Sequence, residues 1–305
     1  MNILSIAIDT IPKVRLIGHV KYDKPWIHFT RTIDEYILYI IKSGELYIKE
    51  GEVEYTLKPG DTLLLSPNII HVGFKQSCCN YYYIHFRHPK IHRISDKTFD
   101  EFSDEILKER KLSITNISDS FSEYTLTSTS CYFPKYYHIK EKDPFLYFLK
   151  DAETEFYKRY ENYKVLTSLK LLEMIISISR EYVSTEVDKN ISYFSKAFVK
   201  SRNIVNYLNN QYHNKVTSKD IEELSESNYD YINRVFHKIT GNTIFNYLNI
   251  IRINKAKELI ETTPINFSEV GYLVGIDDPY YFSKLFKKYT GMTPTQYYKS
   301  KNLNE

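Results

Sequence analysis

The sequence predicts an α+β multidomain protein: an N-terminal β-barrel with packing helices behind it, then an all-α domain with two helix-turn-helix units. Three observations carry that expectation. Residues 15–85 alternate short β-type runs with Gly and Pro turns, helical periodicity returns at Pro144, and one helix pattern occurs twice, 50 residues apart, near the C-terminus.

In the first domain, expected over residues 1–143, Tyr36–Ile41 leads through Lys42-Ser43-Gly44 to Glu45–Ile48. Gly51 precedes Val53–Leu57, and Pro59-Gly60-Asp61 opens Thr62–Leu65. Closely spaced strands joined by such turns favour a barrel or sandwich. Tyr83–His88 alternates like a further strand, Thr98–Leu107 reads as helix and Tyr124–Phe133 as extended chain. Residues 144–183 carry two stripes: Phe145, Phe148, Leu149 and Ala152, then Val165, Leu169, Leu172 and Ile176 with Leu166 and Ile175 beside them. Helices of this kind pack on the barrel or pair with a second chain. The polar run Val183–Asn190 suggests an interdomain linker, taken as 184–194, before a second domain over 195–305 whose leading helix is marked by Ile204, Val205, Leu208 and Tyr212.

Composition agrees with a folded chain of two cores: 305 residues, 42% hydrophobic and 26% charged. Residues 195–305 hold 15 Lys and Arg against 11 Asp and Glu, a net of +4, so the basic excess lies in the helical domain. Cys78, Cys79 and Cys131 form no C-x-x-C pair and no framework of bridges, which suits a reducing cytoplasm. Met1–Asp9 lacks the basic start of a signal peptide, and the apolar run Leu171–Ile178 is broken by Glu173, so no membrane span is expected and the localisation is read as cytoplasmic.

The repeated helix is the most informative stretch. In Asp278–Gly291, Phe282, Leu285, Phe286 and Tyr289 form one apolar stripe, Asp278 can cap, Pro279 suits the first turn and Gly291 ends the helix. Fifty residues earlier Ile232, Val235, Phe236 and Ile239 take the stripe, Asn228 the cap, and Thr240-Gly241-x-Thr243-x-x-x-Tyr247 matches Thr290-Gly291-x-Thr293-x-x-x-Tyr297. On the outer faces Asp230, Asn233, Arg234 and His237 correspond to Tyr280, Ser283, Lys284 and Lys287. One scaffold with unlike polar faces suggests two related readers of one polymer. Short helices ahead of each copy complete units at about 217–240 and 266–290, and a connecting helix from Thr243 to Glu261 separates them.

This stretch resembles the AraC/XylS family of transcriptional regulators in Arg252-Ile253-x-x-Ala256-x-x-Leu259, Gly275-Ile276-Asp277-Asp278-Pro279-x-Tyr281-Phe282-Ser283-x-x-Phe286-Lys287 and Thr290-Gly291-Met292-Thr293-Pro294. The resemblance implies double-stranded DNA as partner, each second helix entering a major groove one helical turn apart. It also implies a homodimer formed through the first domain, and it admits RNA polymerase and a small-molecule effector as further partners. Glu222, Ser225 and Ser227 depart from the small or apolar residues usual in the first unit.

In that setting Arg234 can take guanine bidentately, Lys284 guanine O6 or N7, Asn233 adenine, and Ser283 several bases. Tyr280 can touch a thymine methyl, and Lys287 and His237 suit phosphate. Asp230 either accepts from cytosine N4 or stabilises the helix dipole.

Leu57-Lys58-Pro59-Gly60-Asp61-x-x-Leu64-Leu65-x-Pro67-x-x-x-His71 resembles the second motif of cupins, as found in the sensor domains of AraC-type regulators. The His-x-His pair of a metal-dependent cupin is missing around Gly44–Ile48, so His71 reads as structural, as do His85 and His88. No catalytic cluster, cofactor or metal site is expected. Trp26, His28, Arg31 and Tyr36 are candidates for lining a ligand site, against the background of 29 Tyr and 17 Phe. Three rival readings stay open: a cupin enzyme with an appended DNA-binding domain, a DNA alkyl-transfer repair regulator, whose cysteine spacing Cys78 and Cys79 lack, and a regulator whose barrel only dimerises.

Overall fold

A computed structural model describes residues 2–94, 99–115, 129–190, 194–263 and 266–302, in two compact units. The first comprises residues up to 102 and 128–190; the second comprises 103–127 and 191–305.

The first unit begins with β1 (Ile3–Ala7), β2 (Lys13–Trp26), β3 (Tyr36–Gly44), β4 (Leu46–Glu50), β5 (Val53–Leu57) and β6 (Asp61–Leu65). β7 (His71–Gly73), β8 (Ser77–Arg87) and β9 (Ile91–Ile94) follow, then the start of α1 (Phe99–Thr115), β10 (Ser130–Pro134) and β11 (Tyr136–His138). These strands form a five-stranded sheet in the order β11-β6-β3-β8-β2 and two three-stranded sheets, β10-β1-β9 and β5-β4-β7, every pairing antiparallel. Tyr124–Phe133 is extended from Ser130 onward, and its first residues lie outside the described ones.

Strand parity divides the side chains between two cores. Ile37, Tyr39 and Ile41 of β3 join Leu63, Leu65, Cys79 and Tyr81 in one cluster, and the alternate residues Leu38, Ile40, Leu64, Tyr82, Ile84 and Phe86 join the other. The second cluster is completed by α2 (Lys142–Lys158) and α3 (Tyr163–Asn190), through Leu149, Ala152 and Phe156, and through Leu171, Met174, Ile175 and Ile178. Residues 184–190, expected as linker, are therefore the last turns of α3, and 191–193 lie outside the described residues.

The cupin-like turn has a plain geometric meaning. Asp61 is buried, and its carboxylate accepts the Lys58 N–H at 2.7 Å, the His138 Nδ1–H at 2.7 Å and the Tyr136 hydroxyl at 3.0 Å. It ties β6 to β11.

The second unit opens with α4 (Phe194–Gln211), α5 (Ser218–Ser225), α6 (Tyr229–Thr240) and α7 (Ile244–Thr262). α8 (Phe267–Leu273), α9 (Pro279–Thr290) and α10 (Pro294–Asn302) complete it. Residues 103–115 of α1 fall here, with Ile114 in the core and its carbonyl accepting the Tyr247 hydroxyl at 2.9 Å, so the division does not follow the expected boundary at 143. Ile204, Leu208, Ile221, Ile232, Phe236 and Leu248 close a core around the first helix pair; Ile253, Ala256, Val270, Phe282 and Phe286 close one around the second. α7 contributes to both.

Polar residues in the first pair find partners. The Glu222 carboxylate accepts the Tyr229 N–H at 2.7 Å, and the buried Ser225 hydroxyl donates to the Ile221 carbonyl at 2.7 Å. These satisfied bonds explain how polar residues fit where the resemblance leads one to expect small or apolar ones.

Candidate nucleic-acid interface

α6 starts on Asn228, whose Oδ1 accepts the Asp230 N–H at 3.0 Å; α9 starts on Asp278, whose Oδ1 accepts the Tyr281 N–H at 2.8 Å, with Pro279 in its first turn. Both end at a left-handed glycine, Gly241 at φ 76° and Gly291 at φ 79°, whose N–H reaches the His237 or Lys287 carbonyl. The Thr240 and Thr290 hydroxyls donate to the Phe236 and Phe286 carbonyls and accept the N–H of Asn242 and Met292. Tyr247 and Tyr297 set ring edges on those phenylalanines, with centroids 5.3 and 5.5 Å apart. The repeated Thr-Gly-x-Thr-x-x-x-Tyr is thus a helix stop, a reversal and an aromatic lock.

With both helices delimited alike, their outer faces are equivalent. Asp230, Arg234 and His237 are exposed on α6, as are Tyr280, Lys284 and Lys287 on α9. Arg234 folds back far enough for Nε–H to donate to the Asp230 carbonyl at 3.3 Å. Asn233 and Ser283 lie at the edge instead, both half-buried. Asn233 Oδ1 accepts the Ile244 N–H at 2.9 Å, so the side chain caps α7. In the second copy that place belongs to Pro294, which has no N–H, and the shorter Ser283 lines a small cleft beside it. With its carbonyl engaged, Asn233 loses the paired contact that adenine calls for. The exposed sector runs instead through Tyr231 and Lys238 on α6 and Tyr281 and Lys288 on α9. The 50-residue offset pairs these four as well, a signal present in the sequence.

Two contacts hold the helix pairs together. The Arg252 guanidinium, on α7, donates from Nε to the Tyr212 carbonyl and from Nη2 to the Asn214 carbonyl, both at 2.8 Å. Gly275, at φ 80°, turns from α8 towards α9 against the same backbone: a Cβ there would stand 2.7 Å from the Tyr212 oxygen. The loop that ends α4 is therefore clasped by α7 on one side and by the second helix pair on the other.

The barrel unit brings three of its four candidate residues together. Tyr22 and Trp26 stack at 4.2 Å, Trp26 meets His28 at 5.4 Å and Phe29 at 6.2 Å, and the Arg31 guanidinium lies 3.8 Å over the Phe29 ring. Tyr36 departs from that group: it stacks on Phe86 at 5.6 Å in the cluster shared with α2 and α3, because strand parity turns it away from Ile37 and Tyr39. Among the described residues no three His, Cys, Asp or Glu side chains are placed to share a metal ion, and no helix is long and apolar enough to cross a membrane.

Two buried histidines give this unit an acid limit. Burial, with minor help from Arg31 and His71, pushes His28 down to about 4; burial and the Arg15 charge outweigh Glu35 and push His85 down to about 4. The unfolded chain takes these protons near 6.5 and the folded chain only near 4. Their contribution is therefore full above pH 6.5 and is lost as pH falls through that window, at up to about 1.4 kcal/mol per pH unit for each. Denaturant melts across the window should show that slope, and His85→Gln should reduce it.

Comparison with known proteins agrees at both ends of the chain. The helix-turn-helix domain family matches residues 226–300, and the AraC-like ligand binding domain family matches residues 19–123. An uncharacterized HTH-type transcriptional regulator of Bacillus subtilis, YisR, is 26% identical over 298 residues, 96% of each chain. The bifunctional transcriptional activator/DNA repair enzyme AdaA of the same organism is 28% identical over 102 residues, which are 33% of this chain and 48% of that one. Among solved structures, the C-terminal domain of AraT, a response regulator from Geobacillus stearothermophilus, is 28% identical and aligns with 33% of this chain and 84% of its own, at a TM-score of 0.32. A regulator similar over 96% of its length and two regulator domain families, in the order the sequence motifs require, give the chain the make-up of AraC-type transcriptional regulators: an AraC-like ligand binding domain followed by a DNA-binding helix-turn-helix domain.

Proposed function

We propose that α6 and α9 enter successive major grooves on one face of the DNA and read a bipartite site, while the barrel unit pairs two chains and receives a small effector in the cytoplasm. The observation that carries the DNA reading is the correspondence of the two exposed sectors, each capped by an Asn or Asp side chain and stopped at a left-handed glycine but bearing different side chains. Arg234 and Lys284 are the base-reading residues, with Tyr280 on a base edge; Lys287, His237, Lys238 and Lys288 meet phosphate, and Asp230 stabilises the amino end of α6. Asn233 and Ser283 act at the margin of the contact.

The pairing of chains rests on α3. Its Leu171, Met174, Ile175 and Ile178 are buried, whereas Val165 and Leu169 are exposed and Leu172 and Ile176 half-exposed, at 4-3-4 spacing along another face. That is the spacing of a two-helix seam. Position on the promoter then decides how the bound dimer acts on RNA polymerase.

Arg234→Ala and Lys284→Ala should each weaken an operator by roughly 1–3 kcal/mol while changing binding to random DNA much less. Titration of both DNAs at one salt concentration measures this. Equal losses on the two DNAs would make both residues phosphate contacts.

A further inference from the structure

We propose that the barrel unit's effector is a small organic carboxylate, its carboxyl group held by the Arg31 guanidinium and its body lying against Phe29 and Trp26. This rests on the reading of the barrel as an effector site and names the chemistry that the site selects.

Arg31 and His71 face each other across an antiparallel bridge, N–H to carbonyl at 3.0 Å in both directions, so their side chains leave the backbone on the same side. Arg31 is half-buried, and among the described residues no Asp or Glu oxygen lies within ion-pair distance of its guanidinium, whose neighbour is the Phe29 face. The buried acid Glu35 is already taken: Arg15 Nε donates to both its oxygens, at 2.6 and 2.9 Å, and His85 Nδ1 lies 3.2 Å away.

His71 adds an independent sign. The residue is 2% exposed, and neither ring nitrogen completes a well-formed hydrogen bond, the Ile69 backbone being the polar group that comes nearest to supplying one. His28, 5.4 Å from it ring to ring, uses both of its own, on the Phe29 carbonyl at 2.8 Å and the Tyr39 hydroxyl at 3.1 Å. A half-buried cation without a carboxylate partner, beside a buried imidazole whose nitrogens lack well-formed hydrogen bonds, is costly and is relieved by an anion. One guanidinium fork matches one carboxylate, and the aromatic surroundings suit a ring or chain behind it. A phosphate dianion would find a single cation here, and a neutral sugar would leave that cation uncompensated.

Trp26 is the only tryptophan in the chain, so its emission reports on this site directly. The test titrates the full-length protein with benzoate and glucuronate, each beside its neutral counterpart, benzamide and glucose, and repeats the titrations on Arg31→Gln and Arg31→Lys. The expected result is a saturable emission change with an acid and not with its counterpart, weakened roughly tenfold or more by Arg31→Gln and less by Arg31→Lys. Without ligand, Arg31→Gln should melt at the wild-type temperature or above, since it removes an unpaired charge. Neutral counterparts that bind as well as the acids, in wild type and Arg31→Gln alike, would remove the anionic class and leave the effector reading standing. No saturable response to either acid, or an Arg31→Gln chain that melts lower, would overturn the proposal.

Discussion

Gly275→Ala is expected to lower the stability of the C-terminal unit by roughly 2–4 kcal/mol and to abolish DNA binding at temperatures the wild type tolerates. Gly275 has a φ of 80°, where an L side chain is strained by about 1–2 kcal/mol whatever the space around it. Here the space is also filled: an added Cβ would stand 2.7 Å from the Tyr212 carbonyl oxygen and 2.9 Å from the His213 carbonyl carbon, and both belong to backbone that Arg252 holds in place. Gly241 and Gly291 supply the control. Their φ values are 76° and 79°, yet an added Cβ would have nothing within 4 Å, so alanine at either should cost only the conformational part, about 1–2 kcal/mol. Thermal melts of the three variants separate crowding from strain, and equal losses at all three would mean that the clasp on Tyr212 contributes nothing.

Lys135→Ala should cost the barrel unit about 3–5 kcal/mol. Lys135 is 7% exposed, and its Nζ lies 2.6 Å from Glu50 Oε2 and 2.7 Å from the Ser66 hydroxyl, while Glu50 Oε1 accepts the Ser66 N–H at 2.7 Å. Removing the ammonium leaves a carboxylate that is 6% exposed without its counter-charge. The double variant Glu50→Gln with Lys135→Met keeps an acceptor for Ser66 and removes both charges, so it should recover most of the loss. Urea denaturation of the single and double variants tests this. A double variant as unstable as the single one would show that the cost lies in packing rather than in the orphaned charge.

Elements announced by local chemistry are legible in the amino-acid order itself. Gly44, Gly51 and Gly60 mark the strand ends, and the Thr-Gly-x-Thr-x-x-x-Tyr repeat locates both helix pairs, because each bond it makes spans only a few residues. Contacts between distant residues are not. Glu50 and Lys135 are 85 positions apart, and nothing near either names the other. Residues 184–190 read as linker because the last turns of α3 have the polar composition that a linker also has. Tyr36 cannot be assigned a side from its neighbours, since both faces of β3 are apolar. For the proposed DNA face, helical spacing alone places Asn233 and Ser283 beside the exposed residues; what holds Asn233 at the half-buried margin is the Ile244 N–H, eleven residues on and across a turn. The same spacing holds Tyr231, Lys238, Tyr281 and Lys288 without singling them out.

Whether two helices read one site at a fixed separation is tested most directly by selection from a random DNA pool with the full-length protein at near-physiological salt. The expected result is one bipartite motif whose halves lie about 10 base pairs apart at constant spacing, the distance that places two major grooves on one face. A single half-site, or two halves at variable spacing, would contradict it.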